Sequence, residues 1–145
     1  MAHMQPVFER DDAFLASPEL ASALEPYGSE LTLPAGKMLF QRGEKAHGLY
    51  LLKSGSARLS VPGAVDRSVG PGALLGVPGT LSRGIYSLSA ELLEESRVLF
   101  VPSEHISRLL SERPEVGIQM VQILSREIQA IRDRISKLAF GPNLA

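Results

Sequence analysis

The chain has no cysteine among its 145 residues. Disulfides, thiolate zinc sites, cysteine-ligated iron–sulfur clusters and cysteine nucleophiles are therefore all excluded. A cysteine-free chain is compatible with a reducing cytoplasm, which is where we expect the protein to be located.

The sequence also lacks long apolar runs and any excess of one charge. No segment approaches the roughly 18 apolar residues that span a bilayer, and no secretory signal opens the chain. The formal net charge is −1, so no basic surface for a nucleic acid is indicated. Hydrophobic residues make up 44% and charged residues 21%, which predicts one ordinary globular domain rather than a disordered chain.

Two N-terminal segments precede the main body of the chain. Residues 1–4 have the composition of a cloning remnant, so His3 is left out of the chemical reasoning. Residues 5–28 are predicted to be helical, as one or two short amphipathic helices that bury Phe14, Leu15, Leu20 and Leu24, with Ser17-Pro18 as a helix start.

Residues 29–102 consist of short apolar runs separated by glycine and proline turns. Alternation is clearest in residues 57–61 and 85–90, and turn signals recur at Pro34-Ala35-Gly36, Ser54-Gly55 and Pro62-Gly63. Many short strands at such spacing predict an antiparallel sandwich, jelly roll or barrel. The predicted fold class is therefore α+β and mainly β.

Residues 103–140 are predicted to form a short helix and then a long helix that begins at Pro114. The long helix has apolar residues at intervals of 3, 4, 3, 4 and 3: Val121, Leu124, Ile128, Ile131, Ile135 and Leu138. This narrow stripe is typical of a coiled-coil seam, and it favours a parallel homodimer over a helix packed only on its own sheet. Arg126, Glu127, Arg132 and Asp133 are assigned to a polar exterior. Residues 141–145 form a tail after Gly141-Pro142 ends the helix.

The segment GPGALLGVPGTLSRG, residues 70–84, has five glycines in fifteen residues and one cation, Arg83. Glycine-rich turns let backbone N–H groups surround a phosphate, which makes this segment the first candidate for a ligand site.

The order of helix, β-roll and long helix resembles the sensor domain of the catabolite-activator and fumarate–nitrate regulator (Crp/Fnr) family, a cyclic nucleotide-binding-type domain. The resemblance is carried by LPAGKMLFQRGEKAHGLYLLKSGSARLS, residues 33–60, and by GPGALLG, residues 70–76. SKLAF, residues 136–140, is similar to the end of the family's long helix. The resemblance implies an antiparallel β-roll, similar to a double-stranded jelly roll, with N-terminal helices and a C-terminal dimerisation helix.

The resemblance implies two polar contacts that family members make with cyclic AMP: a glutamate binds the ribose hydroxyl, and an arginine binds the phosphate. Here Val77 stands at the glutamate position and Gly84 at the arginine position, one residue from Arg83. Ile131 and Arg132 occupy the two positions of the long helix at which the resemblance implies hydroxyl side chains that contact the adenine across the dimer. Burying a phosphate without a paired cation is costly. The resemblance therefore predicts that the phosphate-binding cassette, which is the glycine-rich segment with its ribose and phosphate contacts, is degenerate in this chain.

Other members of this family sense their signal through a haem, an iron–sulfur cluster or another small molecule, so the resemblance leaves open a small-molecule or nucleotide ligand for this chain. The cluster is excluded, and a haem would need His47 or His105, which are expected at the surface or partly packed. No cofactor is predicted. The sequence also lacks the spacing of a cupin metal site, a nucleophile elbow or a phosphate-binding P-loop, so no enzyme is predicted.

The sequence therefore predicts a sensory or regulatory domain with no membrane contact. In the family, a hinge after the long helix leads into a helix-turn-helix that reads DNA. We do not expect one within this chain, either because it was removed at that hinge or because the sensor domain is naturally separate. The alternatives are a ligand-free dimeric scaffold whose pocket is filled by Leu75, Val77 and Tyr86, and a genuine cyclic nucleotide binder. The candidate ligand-binding residues are Gly76, Val77, Pro78, Gly79, Thr80, Arg83, Tyr86 and Ser87.

Overall fold

The computed structural model describes residues 9–140, and the side chains of residues 11–129, 132 and 133. Nine strands and four α-helices follow one another within residues 9–140. The strands are β1 Glu9–Arg10, β2 Ser29–Leu33, β3 Met38–Phe40, β4 Gly48–Ser54, β5 Ala57–Ser60, β6 Arg67–Val69, β7 Leu74–Leu75, β8 Ser89–Leu92 and β9 Ser96–Pro102. The helices are α1 Pro18–Leu24, α2 Val77–Ser82, α3 Ser103–Glu112 and α4 Pro114–Phe140, and a 3-10 turn covers Glu25–Tyr27.

The strands form two sheets, which pack face to face as the predicted β-roll. One sheet has the order β1-β6-β5-β8-β3 and the other β2-β9-β4-β7. All pairings are antiparallel except β1 with β6. The α+β fold with a β-roll and a long C-terminal helix is confirmed.

Strand β4 separates two hydrophobic cores because its alternate side chains point to opposite faces of the sheet. Tyr50 and Leu52 face the interior of the roll. Leu49 and Leu51 face the helices. The helices are therefore anchored to the same strand that lines the roll.

The N-terminal segment differs from the prediction of one or two short helices over its whole length. Ser17 does cap α1, accepting a hydrogen bond from the Leu20 N–H at 3.1 Å. Residues 9 and 10 instead form a strand, Phe14 packs in the core of the roll, and Leu15 makes a β-bridge with Ala73. The helix-like spacing of Phe14 and Leu15 was misleading, because backbone pairing with the glycine-rich segment holds both residues in an extended path.

Helix α4 packs on the roll through one face. Val116, Met120 and Ile123 are at most 1% exposed and belong to the core between the helices and the second sheet. A proline at the first position starts the helix, where its missing N–H costs nothing. No helix within residues 9–140 is long and apolar enough to cross a bilayer.

Candidate functional site

The glycine-rich segment is not a continuous loop, because a short helix lies inside it. Gly76 has a φ of 89° and turns the chain from β7 into α2, which covers Val77–Ser82. Gly79 lies so close to the following chain that an added Cβ would be 2.5 Å from the Ile85 carbonyl oxygen. The glycines thus allow tight turns and close backbone contacts around α2.

Tyr86 fixes this segment to the roll. Its ring stacks on Phe40 with centroids 4.0 Å apart and an interplanar angle of 16°. Its hydroxyl donates to the Gly48 carbonyl at 2.8 Å and accepts from the His47 and Gly48 N–H groups at 3.2 and 3.3 Å. Tyr86 was predicted to lie in a strand, but β8 begins only at Ser89, and Tyr86 is instead a buried anchor next to α2.

A small cavity lies between α2, the roll and α4. Its volume is about 10 Å³, roughly the space that one water molecule needs. Its lining consists of Phe14, Phe40, Gly76, Pro78, Gly79, Tyr86, Ser87, Leu88 and Glu127. Among the described residues of this lining, Glu127 carries the only carboxyl group, and no lysine, arginine or histidine is present.

Five of the eight candidate ligand-binding residues line this cavity: Gly76, Pro78, Gly79, Tyr86 and Ser87. Val77 instead packs in the core under the helices. The Thr80 hydroxyl is buried and donates to the Gly48 carbonyl at 3.0 Å. A binding role for these residues stays a prediction.

Arg83 lies on the other side of the segment. It ends α2 in the left-handed conformation, with a φ of 56°. Its side chain is exposed and lines an open groove together with Lys45, Ala46, Ser103, Glu104 and Ser107. The one cation of the glycine-rich segment is therefore not part of the cavity lining.

Four lining residues were not among the candidates, and Glu127 is the one of them that carries an ionisable side chain. It was assigned to the polar exterior of the long helix, but it is 6% exposed. It follows Val116, Met120 and Ile123 at helical intervals of 4, 3 and 4, which places it on the face that packs on the roll. Burial, and to a smaller extent the Asp11 carboxylate, raise the pKa of its carboxyl against the opposing effect of Arg126, and together they bring it to about 8.

The two internal histidines make local hydrogen bonds. The His47 ring is exposed, with Nε2 3.2 Å from the Tyr50 hydroxyl oxygen. The half-buried His105 places Nδ1 2.8 Å from the Tyr27 carbonyl oxygen. Neither lies in the cavity lining. Within the side chains that the structure describes, no group of three or more acids and histidines is placed to hold a metal ion.

The predicted seam of α4 lies on a second face of the helix. Val121 is 56% and Ile128 52% exposed, and Leu124 between them is half-buried. At about 100° per residue, this stripe is turned by roughly a quarter of the helix circumference from the face that packs on the roll. Ile131, Ile135 and Leu138, the remaining seam positions, have side chains outside the described residues.

Comparison with known proteins agrees with this architecture. Residues 30–113 match the family model of the cyclic nucleotide-binding domain. The chain is 30% identical over 131 residues to the Cyclic AMP receptor protein of Thermus thermophilus, an alignment that covers 87% of this chain and 60% of the relative. It is 28% identical over 102 residues to the Transcriptional activator protein anr of Pseudomonas aeruginosa, covering 67% of this chain and 41% of the relative.

The crystal structure of the Thermus thermophilus Catabolite Activator Protein superposes with a TM-score of 0.73 at 29% identity. That superposition covers 86% of this chain and 61% of the other. The chain thus spans about three fifths or less of the length of these relatives. The two sheets, the long helix and the matched sequence lead to one conclusion: the chain belongs to the cyclic nucleotide-binding domain family and is homologous to the Crp/Fnr regulators.

Proposed function

We propose that this chain is a regulatory domain of the Crp/Fnr type that does not hold a cyclic nucleotide through its phosphate. One observation carries the proposal: among the described residues, the lining of the cavity under the glycine-rich segment contains the acid Glu127 and no cation, whereas Arg83 lines a different groove. A cyclic phosphate carries a negative charge, and burying it beside a carboxyl group without a cation is unfavourable.

Val77 supports the same proposal. It occupies the position at which the family resemblance places a ribose-binding glutamate, and it is fully buried in the core under the helices. An apolar side chain that packs in this way has no polar group to offer a ribose hydroxyl. The cassette of this chain thus keeps the glycine turns and replaces the polar contacts.

The cavity favours a second candidate function, a ligand-free dimeric scaffold or interaction module. Tyr86 stacks on Phe40 and bonds to the backbone at Gly48, and the space that remains is about 10 Å³. A nucleotide would need several hundred Å³, so Tyr86 would have to leave its hydrogen bonds before one could enter.

We further propose that the chain pairs with a second copy through α4. The exposed apolar side chains of Val121 and Ile128 form a stripe with Leu124, which a globular helix would ordinarily bury. Two such stripes facing each other would bury these side chains in the manner of a coiled coil. The resulting role is regulatory and non-catalytic, and we expect it in the cytoplasm.

The test is thermal unfolding at fixed protein concentration, with and without millimolar cyclic AMP and cyclic GMP. A ligand at 100 times its Kd would stabilise the native state by about 2.7 kcal/mol and raise Tm by several degrees. We expect no such shift for the wild type. Gly84→Arg places a cation where the family resemblance expects the phosphate-binding arginine. This variant tests whether restoring the cation restores a nucleotide-induced shift in Tm.

A wild-type shift of several degrees would show that the proposal is wrong. If Arg83→Ala then abolished that shift, Arg83 would be the phosphate-binding cation. A wild-type shift that survives Arg83→Ala would instead assign the phosphate to backbone N–H groups.

A further inference from the structure

We propose that the Glu127 carboxyl is a proton-sensitive contact through which the cavity of the roll controls the packing of α4. Glu127 is the last described residue on the helix face that packs on the roll, after Val116, Met120 and Ile123. The three apolar residues attach the first half of α4 to the core. Glu127 brings an ionisable group to the same surface one turn later, next to the glycine-rich segment.

The surroundings of Glu127 suit a neutral carboxyl group and not a carboxylate. Its Oε1 atom is buried and has no hydrogen-bond partner among the described residues. Phe14, Phe40 and Leu88 contribute apolar walls to the cavity that it lines. A carboxylate in such a place loses its hydration without gaining a partner, which costs far more than burying the protonated acid.

The charged and titratable groups around Glu127 do not compensate an ionised form. Asp11, from the N-terminal segment, is 8% exposed, and its negative charge disfavours a second one. Arg126, the neighbouring residue on α4, donates from Nη2 to the Leu15 carbonyl at 2.9 Å. Tyr86, from the segment before β8, has its hydroxyl committed to the backbone of Gly48. Arg67 lines a neighbouring small cavity together with Asp11.

The direction of the pH dependence follows from this arrangement. Desolvation and the nearby Asp11 carboxylate raise the Glu127 pKa from its ordinary value of 4.5 to about 8 in the folded chain, despite Arg126. The folded chain therefore binds more protons than the unfolded one between these pH values. Stability from this group is complete below pH 4.5 and is lost as the pH rises through about 8. At neutral pH the carboxyl is protonated and α4 is docked. Ionisation places an unpaired charge under α4 and favours its separation from the cavity.

The experiment is urea unfolding followed by circular dichroism between pH 6 and pH 9, on the wild type, Glu127→Gln and Glu127→Met. Asp133→Asn, an exposed acid on the same helix, is the matched control. We expect the unfolding constant of the wild type to rise by up to about tenfold per pH unit relative to both Glu127 variants, and to level off above the folded pKa.

Hydrogen exchange on the same proteins locates the effect. The wild type is expected to lose protection in residues 120–130 as the pH rises from 6 to 9, relative to Glu127→Gln corrected for the intrinsic exchange rate. If both Glu127 variants keep the pH dependence of the wild type, or the protection of residues 120–130 follows pH equally in Glu127→Gln, the proposal is wrong. Neither outcome depends on whether the roll binds a nucleotide.

Discussion

The Tyr86 hydroxyl and the Thr80 hydroxyl donate to the same acceptor, the Gly48 carbonyl oxygen, at 2.8 and 3.0 Å. One hydroxyl comes from the middle of α2 and the other from the segment that follows it. Both therefore tie the glycine-rich segment to the first residue of β4. This shared carbonyl is the point where α2 is fixed to the roll.

Tyr86→Phe removes the hydroxyl and keeps the ring stacked on Phe40. The variant leaves two backbone N–H groups, those of His47 and Gly48, without this acceptor. We expect a loss of about 1–3 kcal/mol in the free energy of unfolding, measured by urea denaturation. A variant as stable as the wild type would show that water replaces the hydroxyl at no cost.

Thr80→Val is expected to cost less on its own, about 1 kcal/mol, because Tyr86 still donates to the Gly48 carbonyl. In the double variant with Tyr86→Phe, the carbonyl loses both side-chain donors. The loss of stability in the double variant should therefore exceed the sum of the two single-variant losses by about 1 kcal/mol in a double-mutant cycle. Strict additivity would contradict the shared-acceptor arrangement.

Gly79→Ala and Gly84→Ala form a matched pair within the glycine-rich segment. A Cβ on Gly79 would lie 2.5 Å from the Ile85 carbonyl oxygen, a backbone atom. At Gly84 the nearest atom is the Ser82 hydroxyl oxygen at 3.1 Å, which can rotate away, and the backbone is not left-handed. We expect Gly79→Ala to destabilise by about 1–3 kcal/mol and Gly84→Ala to change stability by less than about 1 kcal/mol. Equal Tm values for the two variants would contradict this.

Ile128→Glu tests pairing through α4. The side chain is 52% exposed, so the substitution should leave the fold of the single chain intact. It places a charge in the middle of the apolar stripe, and we expect the dimer dissociation constant to rise at least about tenfold, as measured by sedimentation equilibrium. Gln122→Glu, an exposed position on the same helix outside the stripe, is the control. A wild type that stays monomeric at high concentration would refute the pairing.

The sequence predicted the roll because its turn chemistry is local. Gly36, Gly55 and Gly63 all have positive φ values at predicted turns, a conformation that glycine adopts without strain. The start of α4 at Pro114 is equally local. Features of this kind need no knowledge of the rest of the chain.

Helix α2 and the role of Tyr86 depend on tertiary contacts instead. A helix of six residues that contains Pro78 and Gly79 is too short for periodicity to indicate it. Alternation in residues 85–90 predicted a strand, but the hydrogen bonds of Tyr86 with residues 47 and 48 hold it outside β8. Local patterns are overridden where distant parts of the chain meet.

Glu127 was missed for a similar reason. A glutamate beside Arg126 on a long helix has the composition of a solvated face, and its burial follows only from the position of the roll. The signal that was available is its interval of four residues from the buried Ile123. A charged residue at the next position of a buried apolar stripe is therefore a candidate for burial.

Helix α4 carries its two apolar stripes about 100° apart on one cylinder. Glu127 and Ile128 are consecutive residues, yet one lies in the cavity lining and the other on the exposed face. Because both residues belong to one α-helix, a rotation about its axis that withdraws Glu127 turns Ile128 through the same angle. If two chains pair as proposed, a change of charge at Glu127 would therefore alter the angle at which the second chain meets the outer stripe.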